Sequence, residues 1–282
     1  MNAVKRKGIL LILILVFLMI HSGLILADRN KAIEYCLKGE MLLATSEFEE
    51  AIGQFNNAIS ADSRFEIAYI DRGQTYYLIG EYAKANNDFD QALTINPSSY
   101  QALNNRGLVN IELGRDDLAV KDFTKSLTIE ETVEAYINRA LCNMALGNYS
   151  NVVNDCSRAI EISSSKAQFI AMRGAAYYLL GKTDKATSDF DMAYRLEPNS
   201  FWSYYFRGLA YIENGEYCRA IEPYSKVLEM EPDYESFYER AQAYEGCGDN
   251  ARALADYRAC FELAPQSCAI AAKASAKIRE LD

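Results

Sequence analysis

Between Glu66 and Ser99, Tyr69, Gly73 and Tyr76 recur at i, i+4 and i+7, which is one stripe of a helix. Gly80 breaks the stripe where the chain needs a left-handed residue, a conformation cheap only for glycine. Ala85, Phe89 and Ala92 draw a second stripe of the same spacing, and Pro97 stops it. The pattern predicts a helix, a tight turn and an antiparallel helix. Its small residues, Gly73, Ala85 and Ala92, let the two axes approach, and Phe89 fills the seam between them.

The same pattern runs down the chain. Glycines return at Gly80, Gly114, Gly147, Gly181, Gly215 and Gly248, with gaps of 34, 33, 34, 34 and 33 residues. Arginines at Arg72, Arg106, Arg139, Arg173, Arg207 and Arg240 keep the same gaps. Pro97, Pro198, Pro232 and Pro265 fall at one phase of that rhythm, each closing a unit. The repeat resembles the tetratricopeptide repeat, whose first helix carries an aromatic, Gly or Ala, then Tyr, and whose second carries Ala, an aromatic and Ala before Pro. Seven units follow from it: 32–65, 66–99, 100–132, 133–166, 167–200, 201–233 and 234–267. Asn110 stands for the aromatic of the third unit and Cys156 for the Phe of the fourth. The first unit lacks the turn glycine and carries Gly53 within a helix, as a terminal repeat does. After the last unit, Ile270, Ala274, Ile278 and Leu281 mark an amphipathic capping helix over 268–282. The resemblance implies an all-α chain, a right-handed superhelical α-solenoid whose first helices line a concave face. Its stability is a sum of neighbour interfaces rather than one central core.

Sixteen residues after five of the six recurring arginines stands an aspartate: Arg72/Asp88, Arg106/Asp122, Arg139/Asp155, Arg173/Asp189 and Arg240/Asp256. Reflected through the turn, these positions share a height on the two helices, so ion pairs are expected within a unit or between neighbours. A locally supplied carboxylate outcompetes an external anion for the same guanidinium. Arg207 is the exception, because Pro223 takes the aspartate's place. That proline also removes a hydrogen bond inside its helix and is expected to bend it.

The N-terminus reads differently. Lys5, Arg6 and Lys7 precede an apolar run from Gly8 to Ile20 and a mixed stretch ending at Ala27, the layout of a secretory signal. The rival is an uncleaved membrane anchor over residues 8–27. Either reading places the repeats outside the cytoplasm, periplasmic or secreted after cleavage and membrane-anchored otherwise. The net charge of −10 becomes −13 without residues 1–27, which carry three bases and no acids. Such a surface repels phosphate backbones, so nucleic acid is not expected as a ligand.

Candidate chemistry is thin. The single histidine, His21, lies in the apolar run, which leaves the repeats without an imidazole base or ligand. Gly246-Cys247-Gly248 imitates a dinucleotide loop but has no preceding strand. The acid pairs Asp88/Asp90 and Asp189/Asp191 read as an ion-pair partner beside a solvated carboxylate. Asn148-Tyr149-Ser150 is a glycosylation sequon, relevant only in an endoplasmic reticulum. No catalytic residue, cofactor or metal site is assigned. Seven cysteines in an exported chain invite disulfides. Three pairings fit: Cys142–Cys156, Cys218–Cys247 and Cys260–Cys268. The second is favoured, since Cys156 and Cys260 sit at recurring stripe positions of the core.

By the resemblance, residues between the packing stripes of the first helices point into the concave groove. They are Ile70, Tyr77, Leu108, Ile111, Ile137, Leu141, Met144, Tyr178, Trp202, Tyr205, Leu209 and Ile212, an apolar lining for an acidic chain. Such a strip marks contact with a protein or peptide, and Trp202, the only tryptophan, is the expected anchor. Relatives that clamp chaperone C-termini use Lys, Asn and Arg on these helices. Asn105 and Asn138 match the asparagine, but the neighbouring cations are missing. The expectation is a non-catalytic interaction scaffold with a protein partner. The alternative is a self-associating assembly component, a homo-oligomer built through the groove or an end repeat.

Overall fold

Six glycines of the repeat take positive φ, from +67° at Gly114 to +87° at Gly248, and each closes a helix in the same way. At Gly80 the amide of the following residue, Glu81, donates to the carbonyl of Tyr76 at 2.8 Å, capping the last turn. The same bond recurs from Arg115 to Asn110, Asn148 to Asn143, Lys182 to Tyr177, Glu216 to Tyr211 and Asp249 to Tyr244. In the first unit, which has no glycine here, Ser46 adopts the turn with φ of +61°.

The computed structural model describes residues 26–163, 167–265 and 268–281. Most of the segment expected to be a signal or anchor, residues 1–25, lies outside them. Every element among the described residues is helical. The chain divides between Glu131 and Thr132 into two compact units. The first holds α1 (26–44), α2 (Phe48–Ala61), α3 (Glu66–Leu78), α4 (Tyr82–Ile95), α5 (Tyr100–Glu112) and α6 (Asp116–Ile129). The second begins with α7 (Val133–Ala145), α8 (Tyr149–Ile162), α9 (Ala167–Leu179) and α10 (Thr183–Leu196). It continues through α11 (Phe201–Glu213), α12 (Tyr217–Met230), α13 (Tyr234–Gly246), α14 (Asn250–Leu263) and α15 (Ala269–Leu281). None of the described helices is long and apolar enough to cross a membrane.

Within each unit, helices pair as antiparallel hairpins that stack on their neighbours: α3 packs on α4 and also touches α5, and α9 packs on α10 and α11. Local chemistry sets where they start. The side chains of Ser99, Thr132 and Asp233 accept from the backbone amides of Ala102, Ala135 and Ser236, capping α5, α7 and α13. Inside the hairpins, the ring of the second helix lies flat on a glycine of the first. A Cβ on Gly73 would sit 2.7 Å from the Phe89 ring, and one on Gly107 would sit 2.7 Å from Phe123. The fourth hairpin solves the same contact the other way, with Ala140 facing Cys156, both fully buried. α12 runs unbroken through Pro223 at the same 14 residues as α10, so the proline does not end the helix.

α15 lies on α14 and α13. Ala271 and Ala274 are buried, and Ile270, Ile278 and Leu281 pack on the cluster around Tyr238, Tyr257 and Cys260. Lys277 Nζ meets Glu245 Oε1 at 2.9 Å across that contact.

Candidate protein-interaction surface

The recurring arginines stitch the hairpins together. Arg72 donates through Nε and Nη2 to the two oxygens of Asp88, at 2.8 and 2.6 Å. The same fork joins Arg106 to Asp122 (2.9 and 2.6 Å), Arg139 to Asp155 (3.0 and 2.6 Å), Arg173 to Asp189 (2.8 and 2.9 Å) and Arg240 to Asp256 (2.7 and 2.9 Å). These are bonds within a hairpin, but the guanidinium also reaches the hairpin before it. Nη1 donates to Asn56 from Arg72, to Asp90 from Arg106, to Ser157 from Arg173 and to Ser225 from Arg240. Hydrogen bonds to the aspartates raise the pKa of Arg72, Arg106, Arg173 and Arg240, the aspartate bond being the largest contribution in each case. Asn110 joins one fork, its Nδ2 donating to Asp122 Oδ2 at 3.1 Å.

The residues expected in the groove divide by burial. In the first unit, Ile70 is only 5% exposed and belongs to the core cluster of Phe89 and Val109, which removes it from the open surface. Tyr77 is half-buried and its hydroxyl donates to Glu112 Oε1 at 3.2 Å, while Leu108 and Ile111 are also half-buried. In the second unit, Met144 is 8% exposed and packs with Val152 and Ile170, so it too is core rather than lining. The next hairpin covers both, a stagger that the period of one helix does not reveal. Ile137, Tyr178, Tyr205, Leu209 and Ile212 are half-buried against the same packing layers. Tyr178 donates to Glu216 Oε1 at 2.6 Å.

Two of the twelve stand in the open: Leu141 at 38% and Trp202 at 40% exposure. Trp202 is held by rings on three sides, Phe201 at 5.1 Å, Phe206 at 5.8 Å and Tyr205 at 5.9 Å between centroids. Tyr205 in turn meets Tyr224 edge-on at 5.9 Å. Beside this aromatic group lies an acidic pole that the sequence pattern did not single out. Glu239 of α13 is pushed up to about 7 by burial and then by the carboxylates of Glu213 and Glu235, with Lys273 opposing. Among the described residues the buried Tyr224 hydroxyl has no hydrogen-bond partner, and burial and then Glu239 push its pKa well up. In the first unit, Asp71 is raised to about 7 by burial and then by Glu40.

Cys218 and Cys247 are joined by a disulfide, with Cα atoms 5.1 Å apart, tying the start of α12 to the end of α13. The Tyr217 ring covers Gly246 beside it. Cys142 and Cys156 are not bridged to each other, and neither are Cys260 and Cys268.

A cleft with a volume near 480 Å³ opens between α9, α10, α11 and α12. Arg207 and Arg219 line it with Tyr178, Tyr194, Tyr204 and Tyr211. The missing aspartate opposite Arg207 was readable in the sequence. The cleft was not, since four helices build it together.

The sequence matches the ETO1 C-terminal domain over residues 34–275. It is 30% identical over 101 residues to human tetratricopeptide repeat protein 6, taking in 36% of this chain and 19% of that protein. It is 32% identical over 96 residues to small glutamine-rich tetratricopeptide repeat-containing protein 2 of Saccharomyces cerevisiae, taking in 34% and 27%. The matched region spans between about a fifth and a quarter of the length of these relatives. A tetratricopeptide repeat protein from Parabacteroides merdae superposes with a TM-score of 0.76 at 18% identity, covering 89% of this chain and 99% of that one. YrrB, a TPR protein with an unusual peptide-binding site, superposes at 0.52 and 20% identity, covering 69% and 97%. At these identities the likeness is one of fold. With repeat, turn, hairpin and family match in agreement, the chain is an all-α tetratricopeptide-repeat solenoid and belongs to the ETO1 C-terminal domain family.

Proposed function

We propose that the chain is a non-catalytic interaction scaffold that takes an extended or helical segment of a partner protein on the first-helix face of its second compact unit. Trp202 carries this reading. Its indole is 40% exposed yet fixed by Phe201, Tyr205 and Phe206, so burying it under a partner removes apolar surface from water with little side-chain entropy left to lose. Leu141 adds a second exposed apolar contact on the same class of helix. The exposed Glu213 and Glu235 supply an acidic flank, which suits a partner segment apolar in its centre and basic at one end. The peptide-binding site named for YrrB supports the same use of the fold.

Tyr205 is packed into the layer beneath and Trp202 is not, so Trp202→Ala is the cleaner test. The full chain and the Trp202→Ala variant are used as baits in affinity purification from the native compartment, with mass spectrometry and melting curves in parallel. The expected result is loss of the partner at an unchanged melting temperature. Equal capture by both baits overturns the assignment of this face. Light scattering across a concentration series on the same two proteins shows whether the partner is a second copy. The scaffold is further proposed to work outside the cytoplasm, on the cationic and apolar layout of its first 27 residues. N-terminal sequencing of the exported protein separates cleavage after Ala27 from retention of the segment.

A further inference from the structure

Arg207 is the recurring arginine whose carboxylate has been replaced, by Pro223, and it lines the 480 Å³ cleft between α9, α10, α11 and α12. Its Nε donates to the Tyr211 hydroxyl at 3.3 Å, and its guanidinium lies 5.9 Å from that ring. Nη1 and Nη2 make no hydrogen bond or ion pair among the described residues. In five other hairpins the same side chain spends its Nε and Nη2 on an aspartate. Here Tyr211 satisfies Nε and the terminal nitrogens are left over.

The surroundings are built for the same kind of acceptor. Ser203 lines the cleft, and its buried hydroxyl has no partner among the described residues. Arg219 holds Tyr211 from the other side, donating to its hydroxyl at 3.0 Å and lying 4.3 Å over its ring. Its own charge is met by Glu216. Phe190, Tyr194 and Tyr204 give the cleft apolar walls. Asp191 is the one carboxylate in the lining, and it makes no ion pair with Arg207. A second negative charge close by disfavours a dianion such as phosphate, whereas a monoanion still gains a planar fork of N–H donors.

We propose that this cleft is a binding site for a carboxylate on an aromatic or aliphatic body, the carboxylate taking Nη1 and Nη2 of Arg207 and the hydroxyl of Ser203. The body lies against Phe190, Tyr194 and Tyr204. The site is separate from the face around Trp202 and does not depend on that reading. A free organic acid and the C-terminus of a peptide carry the same group, so both serve as probes.

The test is titration calorimetry on the full chain with 3-phenylpropionate, with an acetylated dipeptide ending in phenylalanine, with the C-terminal amide of that dipeptide, and with inorganic phosphate. Saturable binding is expected for a carboxylate probe, with at least about a tenfold loss for the amide. Binding of 3-phenylpropionate alone identifies a small-acid site, and stronger binding of the dipeptide identifies a peptide terminus. Arg207→Leu should lose binding at an unchanged far-UV circular dichroism spectrum, and Trp202→Ala should keep it. Pro223→Asp is the sharper variant, since it restores the carboxylate that the other hairpins carry. It should raise the melting temperature and abolish binding, because the chain then fills its own site. The proposal is overturned if no carboxylate binds saturably, if phosphate or the amide binds as well as the acid, or if either variant at Arg207 or Pro223 binds like the parent chain.

Discussion

Removing one partner of a buried ion pair differs from removing both, and the repeated forks make the difference measurable. The side chains of Asp88, Asp155 and Asp189 are 2%, 4% and 8% exposed. Deleting the arginine strands a carboxylate away from water, which costs about 3–5 kcal/mol, whereas an apolar pair of similar volume is close to neutral. Arg173→Met should therefore lose about 3 kcal/mol in urea unfolding, and Arg173→Met with Asp189→Leu should regain most of it. Arg207→Met strands nothing and should stay within about 0.5 kcal/mol. Equal losses at 173 and 207 would show that the fork adds nothing. Glu239 makes a second prediction at this scale. Burial, then Glu213 and Glu235, raise its carboxyl from 4.5 to about 7. Between those values the folded chain holds a proton that the unfolded chain has released. Its contribution to stability is full below about 4.5 and is lost as pH rises through about 7. Glu239→Gln keeps the uncharged form at all pH values. The melting temperature should rise at pH 8, by roughly 2–4 °C for each kcal/mol recovered, and be unchanged at pH 4.

In five hairpins a ring is pressed against a residue without a side chain, while in the last Tyr257 packs in one cluster with Ala241. Phe55, Phe89, Phe123, Phe190 and Tyr224 face Gly39, Gly73, Gly107, Gly174 and Gly208, with an added Cβ 2.5–3.1 Å from the nearest ring carbon. Where the glycine is Ala140, the ring is exchanged for the small Cys156. Gly107→Ala should thus cost about 1–3 kcal/mol by overpacking. Cys156→Phe should be destabilising alone and tolerated together with Ala140→Gly, a coupling that a double-mutant cycle of thermal melts reads directly. This scale also shows how far the sequence could be read. Helices, turns and the 16-residue arginine offset were legible because each is a short-range pattern repeated several times. Cys156 was legible as a departure, but its compensation by Ala140 needs the two helices in contact. The role of Asn110 was hidden because its partner, Asp122, was already assigned to Arg106. Ile70 and Met144 carry the period of groove residues and are buried all the same, since the stacking of the next hairpin is no property of either helix alone.

A stacked array transmits stability only between neighbours, so the consequence of losing one link should be local. Cys218 and Cys247 are the test case: their bridge spans 29 residues and ties α12 to α13, inside the second compact unit. Closing a loop of that size restricts the unfolded chain by about 3–4 kcal/mol in the chain-entropy picture. Cys218 and Cys247 are both exposed and form the one disulfide among the described residues, so mild reduction opens this bridge. Beyond α13 the array is closed by α14 and α15, whose contacts include Lys277 with Glu245 on α13 and the cluster of Tyr238, Tyr257 and Ala274. Opening the bridge frees the end of α13 that carries Glu245, and with it the seat of α15. Hydrogen exchange with and without reductant, and on a Cys218→Ser/Cys247→Ser variant, should show faster exchange from α12 to α15. Protection in α3–α5, which have their own core of Phe89, Ala92, Ala102 and Val109, should be unchanged. Faster exchange spread evenly along the chain would mean that the helices unfold as one cooperative body, and the nearest-neighbour account of this solenoid would then fail.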